Sequence, residues 1–387
     1  MMAPTLSKGR IQKDIIAKLS EYKFVEKFEG SSIYEINDQQ FDHIATVVDT
    51  AAKLRKAFKV MPNAVILSIV STFDALISDI AKQALLYRPE RITNSQRSYS
   101  ASEIFKASSF AEFLNYAVEN EVEKILWDSH QEQIKKFESL FGFSITEHYP
   151  QWGEFIEVFE RRNLIAHGVK VTNATYQKNC KAASCPKDSM LKIGENVSLD
   201  SLYLRKSTDH LVYFLLVFIW NIWIRLDKSN FEEAYTALNA AAFQSIRDKR
   251  YTLASRLLEA LVDWESEDRP ERIRRMMVIN LANAYRFLDE IEKSENALKR
   301  YDWENSSYEF QICERAVCGN VDGVCELMKK LSDEAKISRS DYKVWPVFHW
   351  VREKEKFRET YAEVFEEDFY VFESTKSKKV EDQVEDD

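Results

Sequence analysis

Glycine and proline are scarce in this chain, eight and seven among 387 residues. Both residues punctuate turns and interrupt helices, so their scarcity excludes a loop-rich or collagen-like chain and points to a largely helical one. Also missing are a glycine-rich phosphate loop, an HExxH, a CxxC and a serine–histidine–aspartate nucleophile pattern, which leaves ATP-driven and metal-hydrolase chemistry without support. Positive charge is in deficit: the formal net charge is −9. No global basic field draws in nucleic acid, so any RNA contact has to use a local patch. Cysteine is limited to five residues. Cys180 and Cys185 have no His or Cys cluster beside them, against a structural zinc site. Cys313, Cys318 and Cys325 sit among apolar residues and are expected as small core residues. An odd count without a disulfide pattern suits a reducing cytoplasm. The first 23 residues hold no apolar run of signal-peptide length. Leu211–Trp220, followed after Asn221 by Ile222, Trp223 and Ile224, is shorter than the roughly 20 residues a bilayer span needs. It is expected as a buried helix or part of a dimer interface in a soluble, membrane-free protein.

What is present is helical periodicity. Helices are expected over Ile11–Tyr22 and Gln39–Phe58, around a short extended piece near Ser32–Ile36, with Asn37 and Asp38 as caps. Val65–Tyr87 reads as a second long helix closed by Arg88-Pro89. Ser102–Phe141 supplies two or three more on the apolar spacing Ile104, Phe105, Phe110, Phe113, Leu114, then Val118, Val122, Ile125, Leu126. Pro150 precedes a helix over Trp152–His167. Val169–Thr172 is expected to be extended, Lys178–Ser189 a loop, and Leu202–Leu226 a closing helix.

The stretch Arg161-Arg-Asn-Leu-Ile-Ala-His-Gly168 concentrates chemistry at the end of an apolar helix. Asn163 and His167 are four apart and share a helix face. Arg162 is rotated away but has the longest reach. His167 lies at the negative end of the helix dipole, a position that suits a cation, and Gly168 is the residue favoured just past a helix end. A fixed cation beside a tunable proton carrier suits phosphodiester chemistry. The same residues equally describe a solvated Arg-Arg pair and a histidine C-cap. Arg161 is expected to bond within the fold.

The segment Arg162-Asn163…His167 resembles the R-x4-6-H signature of HEPN-domain ribonucleases, in the form where Asn follows Arg. Val65–Leu86 is similar to the long helix that precedes this signature, with an embedded acid, here Asp74. Ile193–Leu216 is similar to the family's closing segment, so the resemblance covers roughly residues 40–228. Some HEPN domains that pair with a nucleotidyltransferase carry Tyr two residues after the His. Val169 stands there, against that modification scheme.

The resemblance implies an all-α, HEPN-type helical bundle over residues 1–228 and a metal-independent endoribonuclease that needs no cofactor. RNA brings its own nucleophile, the 2′-hydroxyl. His167 would act as general acid or base, Arg162 would stabilise charge on the scissile phosphate, and Asn163 would orient the imidazole or bind phosphate. Asp74 would be a polar partner from the neighbouring helix, or else a solvated or salt-bridged acid. The products would be 2′,3′-cyclic phosphate and 5′-hydroxyl ends. Two proton transfers on opposite sides of a phosphorus call for more than one signature, and the family answers this by pairing two HEPN domains, so a homodimer is implied. Lys170, Lys178, Lys181, Lys187 and Lys192 are either a phosphate track for tRNA or mRNA or plain surface.

From residue 229 small residues recur as in stacked helical hairpins: Ala242 then Ala254, Ala282 then Ser294, and a degenerate copy through Ala316, Val324 and Leu327. Residues 229–372 resemble tetratricopeptide-type repeats, although spacings near 40 and 30 depart from the period of about 34. The other reading is an ordinary helical domain. Such a region would dock a protein trigger or inhibitor, and HEPN ribonucleases of this kind commonly act as growth-arresting toxins in phage defence or stress. Residues 373–387 are expected to form a disordered acidic tail. Two further readings stay open: a helical interaction protein whose HEPN-like domain only dimerises or binds RNA, and a small-molecule or nucleotide sensor.

Overall fold

A computed structural model describes residues 23–28, 31–35, 38–94, 98–262, 270–331 and 337–370. The expected helix at Ile11–Tyr22 and the acidic tail lie outside the described residues. Among the described residues the fold is all-α apart from one antiparallel hairpin, β1 (Lys23–Phe28) and β2 (Ser31–Glu35), with a register irregularity between Phe24 and Glu26. The two helices expected over 39–58 and 65–87 are one, α1 (Asp38–Tyr87), which runs through Pro62. Proline removes one N–H from the ladder, but the apolar run that follows it keeps the helix going. There follow α2 (Ala101–Lys106), α3 (Phe110–Leu126), α4 (His130–Phe141), α5 (Trp152–Ala166), α6 (Ala174–Ala182) and α7 (Ser201–Leu226). Of the apolar spacing in 102–126, Val118, Val122 and Ile125 are buried, whereas Ile104, Phe105 and Phe110 are exposed. Among the described residues two segments, Val48–Tyr87 and Ser201–Leu226, are long and apolar enough by length and composition to cross a membrane, a test that core helices of soluble proteins also pass.

The chain divides into two compact units. The first comprises residues 1–81, 122–136 and 146–211. Its centre is α5, which buries Gly153, Phe155, Ile156, Glu157, Val158, Phe159, Arg161 and Leu164. Phe73 of α1 meets the rings of Phe155 and Phe159 at 5.8 and 5.5 Å. One buried carboxylate ties this unit together. Glu157 accepts from Arg161 Nε at 2.7 Å and Nη2 at 2.6 Å, from the Tyr176 hydroxyl at 2.5 Å and from the Tyr203 hydroxyl at 2.8 Å. Arg161 also donates to the Ser198 carbonyl and lies over the Tyr203 ring, so it bonds within the fold as expected. Burial, then the neighbouring Glu157 charge, pushes both tyrosine hydroxyls well above their ordinary range.

Gly168 ends α5 in the left-handed region at φ 67°, and the Val169 N–H returns to the Leu164 carbonyl. Beyond it Val171 bridges Asn196. Part of the expected 178–189 loop is helical: Asn173 caps α6 by accepting from the Tyr176 N–H, and Tyr176 and Cys180, one turn apart, turn inward. They join Leu164 and Cys185 in a buried cluster. Gly153 has no room for a side chain, because a Cβ there would lie 2.3 Å from the Cys185 Cα.

The second unit comprises residues 82–121, 137–145 and 212–387. In it α8 (Phe231–Arg247) and α9 (Tyr251–Val262), α10 (Glu271–Phe287) and α11 (Ile291–Leu298), and α12 (Tyr308–Cys318) and α13 (Val321–Leu331) form three helical hairpins, followed by α14 (Arg339–Val344) and α15 (Glu355–Phe365). Ala242, Ala254, Ala282 and Ala316 are fully buried, which lets the helices approach closely. The Ser294 hydroxyl donates to the Ala282 carbonyl at 2.8 Å. Each hairpin turns through one residue of positive φ: Lys249 (59°), Asp289 (63°) and Gly319 (74°). The next N–H in each returns five residues, Arg250 to Ser245, Glu290 to Tyr285 and Asn320 to Arg315. All three are the same backbone cap, although only one carries glycine. Of the five cysteines Cys180, Cys185, Cys313 and Cys325 are buried; Cys318, expected in the core, is exposed beside Glu314, to which its thiol donates.

Glu157→Ala, which strands the buried Arg161 guanidinium, is expected to lower unfolding free energy by about 3–5 kcal/mol, read from urea denaturation. Asp289→Gly relieves a left-handed penalty of roughly 1–2 kcal/mol at an entropic cost of about 0.5–1. The urea midpoint should rise with unchanged slope, whereas Gly319→Ala should lower it, since a Cβ there also meets Arg286 Nη2 at 3.0 Å.

Candidate functional site

The residues singled out in the signature do not converge on one another. Arg162 leaves α5 toward α1 and the start of α4. Its Nη2 lies 3.3 Å from Asp74 Oδ2 and 3.4 Å from His130 Nε2. His130 Nε2 is in turn 2.9 Å from Asp74 Oδ1. The His130 ring stacks on Phe159, one turn before Arg162, with centroids 3.8 Å apart and planes 18° apart. Arg162, Asp74 and His130 thus form one partly buried group, with side-chain exposures of 21, 36 and 14%. Phe159 and Arg162 are three apart on α5, so one face supplies both the stacking surface and the cation.

The structure brings Asp74 and Arg162 together and leaves His167 apart. His167 is the C-cap of α5, exposed, with its backbone N–H returned to the Asn163 carbonyl. Five residues separate it from Arg162, a rotation of about 140° on a helix of 3.6 residues per turn, so the two side chains leave α5 in different directions. Asn163 is half-buried beside it.

His130 is the member that sequence reasoning missed. It lies 32 residues before Arg162, and no spacing rule joins positions on two helices. One local signal was present: Asp128-Ser129-His130-Gln131-Glu132 reads as a helix start, and the Ser129 hydroxyl accepts from the Glu132 N–H. Histidine is also rare, six in the whole chain. The turn is held firmly, since the Gln133 amide donates to the carbonyls of Leu126 and Asp128. Within it Trp127 is 86% exposed.

One further titratable group borders the cluster. Glu160 accepts from the Asn179 amide at 2.9 Å. Burial pushes its carboxyl above the ordinary carboxylate range, against the Asn179 hydrogen bond and the charges of His130 and Arg162. Lys170, Lys178, Lys181, Lys187 and Lys192 are all exposed, on α6 and the segments flanking it. The thiols of Cys180 and Cys185 are pushed up by burial, which makes them poor nucleophiles.

The Arg162 guanidinium keeps Nε buried and without a hydrogen-bond partner, an unmet donor in a residue whose planar fork suits phosphate. Cation, carboxylate and imidazole together supply what proton transfer at an anionic centre needs. Among the described residues no three or more His, Cys, Asp or Glu side chains are gathered as metal ligands would be. Compared with protein-family models, curated proteins and solved structures, the chain gives no match in any of the three.

Because Glu160 binds its proton more tightly folded than unfolded, its stabilising contribution is complete below pH 4.5 and is lost as pH rises through the raised folded value. Glu160→Gln is therefore expected to gain melting temperature relative to wild type at neutral pH. That advantage should shrink as pH falls toward 4.5, in melts followed by circular dichroism.

Proposed function

We propose that the protein is a metal-independent endoribonuclease that cuts RNA to 2′,3′-cyclic phosphate and 5′-hydroxyl ends. The observation that carries this reading is the Arg162 guanidinium, on the helix that ends in His167-Gly168, held by Asp74 3.4 Å from the His130 imidazole at the start of α4. RNA supplies the nucleophile, so proton transfer and charge stabilisation suffice. Arg162 contacts the scissile phosphate, His167 carries a proton at the exposed helix end, and Asn163 orients that imidazole or a phosphate oxygen. The exposed lysines about α6 track the backbone of a tRNA or mRNA, a local attraction compatible with a net-negative chain. A homodimer bringing two signatures to one cleft, a trigger or inhibitor bound to the hairpins α8–α13, and a toxin-like role in the cytoplasm during phage defence or stress complete the proposal.

A second reading has a specific observation in its favour. The Arg162–Asp74 ion pair also serves as a latch between α5 and α1, in a domain that only dimerises or binds RNA.

Incubation of purified protein with total RNA in excess EDTA separates the two. Cleavage should persist with EDTA, and Arg162→Ala and His167→Ala should each lower it by about 10²–10⁴-fold without loss of helical circular dichroism. Full activity in both variants would sink the catalytic assignment. Expression of wild type should slow growth of a bacterial host and His167→Ala should not.

A further inference from the structure

RNA transesterification needs one proton removed from the 2′-oxygen and another delivered to the 5′-oxygen. A single signature histidine serves only one of these, so a second chain is needed to complete the pair. The first unit holds another imidazole closer to Arg162. Both Asp74 oxygens are engaged, Oδ1 by His130 and Oδ2 by Arg162.

His130 Nε2 faces the carboxylate at 2.9 Å and the guanidinium at 3.4 Å. One ring nitrogen cannot donate to the first and accept from the second. The shorter, charge-assisted contact to the carboxylate decides it, so Nε2 carries the proton and the lone pair is on Nδ1. Among the described residues Nδ1 has no hydrogen-bond partner. Phe159 holds the plane of the ring. Besides Asp74 and Arg162, the charged group that His130 faces is Glu160.

We propose that His130 is a catalytic residue of the cleavage reaction, with Nδ1 as the general base and Asp74 as the positioning residue that fixes its tautomer. This rests on the endoribonuclease reading. His130 Nδ1 takes the proton of the 2′-hydroxyl as that oxygen bonds to phosphorus. The bond from phosphorus to the 5′-oxygen breaks, and the 5′-oxygen leaves with a proton from His167 of the second copy in the paired cleft. His130 then releases its proton to solvent and His167 regains one, so the protein ends as it began. Arg162, adjacent to the base, holds the phosphate while negative charge builds. Each chain thereby brings its own base and cation to the phosphate, and the second copy supplies the acid.

The test is the initial rate of RNA cleavage across pH 5–9 for wild type, His130→Ala, His130→Gln and Asp74→Asn, each checked for native melting. His130→Ala and His130→Gln should lower kcat by about 10²–10⁴-fold with KM changed little. The limb of the pH profile that reports base deprotonation should disappear, and added imidazole should restore part of the rate to His130→Ala. Asp74→Asn should lose about 10–100-fold, as orienting partners of an imidazole do, while keeping that limb at a displaced pH. Wild-type cleavage with His130 variants within a few-fold of it overturns this proposal alone. So does a loss in both variants that leaves the limb in place and is not rescued by imidazole. A wild type that cleaves no RNA removes the endoribonuclease reading, and this proposal with it.

Discussion

A single carboxylate with four donors on it, Glu157, fixes the geometry of the first unit. Burying a charge is costly unless it is paired and its lone pairs are filled. Here Arg161 and the hydroxyls of Tyr176 and Tyr203 fill them. The donors come from α5, α6 and α7, so the one site joins three segments far apart in the chain. A hydrophobic cluster of equal volume could hold those segments together, but with less demand on angle and register. The consequence reaches the cluster one turn along α5. With Arg161 committed inward, Arg162 is left to project across to Asp74 and His130.

Adjacent arginines therefore have opposite fates. Arg161 is stacked on the Tyr203 ring and its environment is closed. Arg162 retains an unfilled donor and a partly exposed imidazole for a neighbour. The contrast follows from the roughly 100° that separates consecutive side chains on a helix, which sends one toward α7 and the other toward α1. The nearest geometric partner of Arg162 is not the histidine that follows it in the chain, and chemistry inferred from the run Arg162-Asn163…His167 alone is incomplete.

How far the sequence was readable varies with the range of the interaction. Local signals were faithful: the end of α5 at Gly168, the inward role of Arg161, and the small residues Ala242, Ala254 and Ala282 in the hairpins all follow from periodicity and cap chemistry. The gap expected between residues 58 and 65 is not there: Pro62 lies in it, but the apolar run beyond sustains α1. The cap of α6 was overlooked because Asn173 stands in a polar stretch whose inward residues, Tyr176 and Cys180, are too few to make a pattern. The exposure of Phe105 and Phe110 could not be read at all, since periodicity records which residues share a face and not whether anything covers it. His130 was invisible for a related reason. Its neighbours Asp74 and Arg162 lie 56 and 32 residues away, and only tertiary structure brings them into contact. The repeated turn at Lys249, Asp289 and Gly319 has the same cause: the cap is made by backbone groups, so side-chain identity hardly marks it.

The close approach of Gly153 to Cys185 has a thermodynamic consequence for whatever meets this face. With the segment after α6 resting directly on α5 and the bridge from Val171 to Asn196 beneath, the lysines of 170–192 are carried on backbone that is already ordered. A mobile basic loop surrenders conformational freedom when a polyanion docks, and that loss subtracts from affinity. Here most of that freedom is already surrendered in folding, so a polyanion meeting this face would be held chiefly at the cost of side-chain rotamers and with the gain of released counterions.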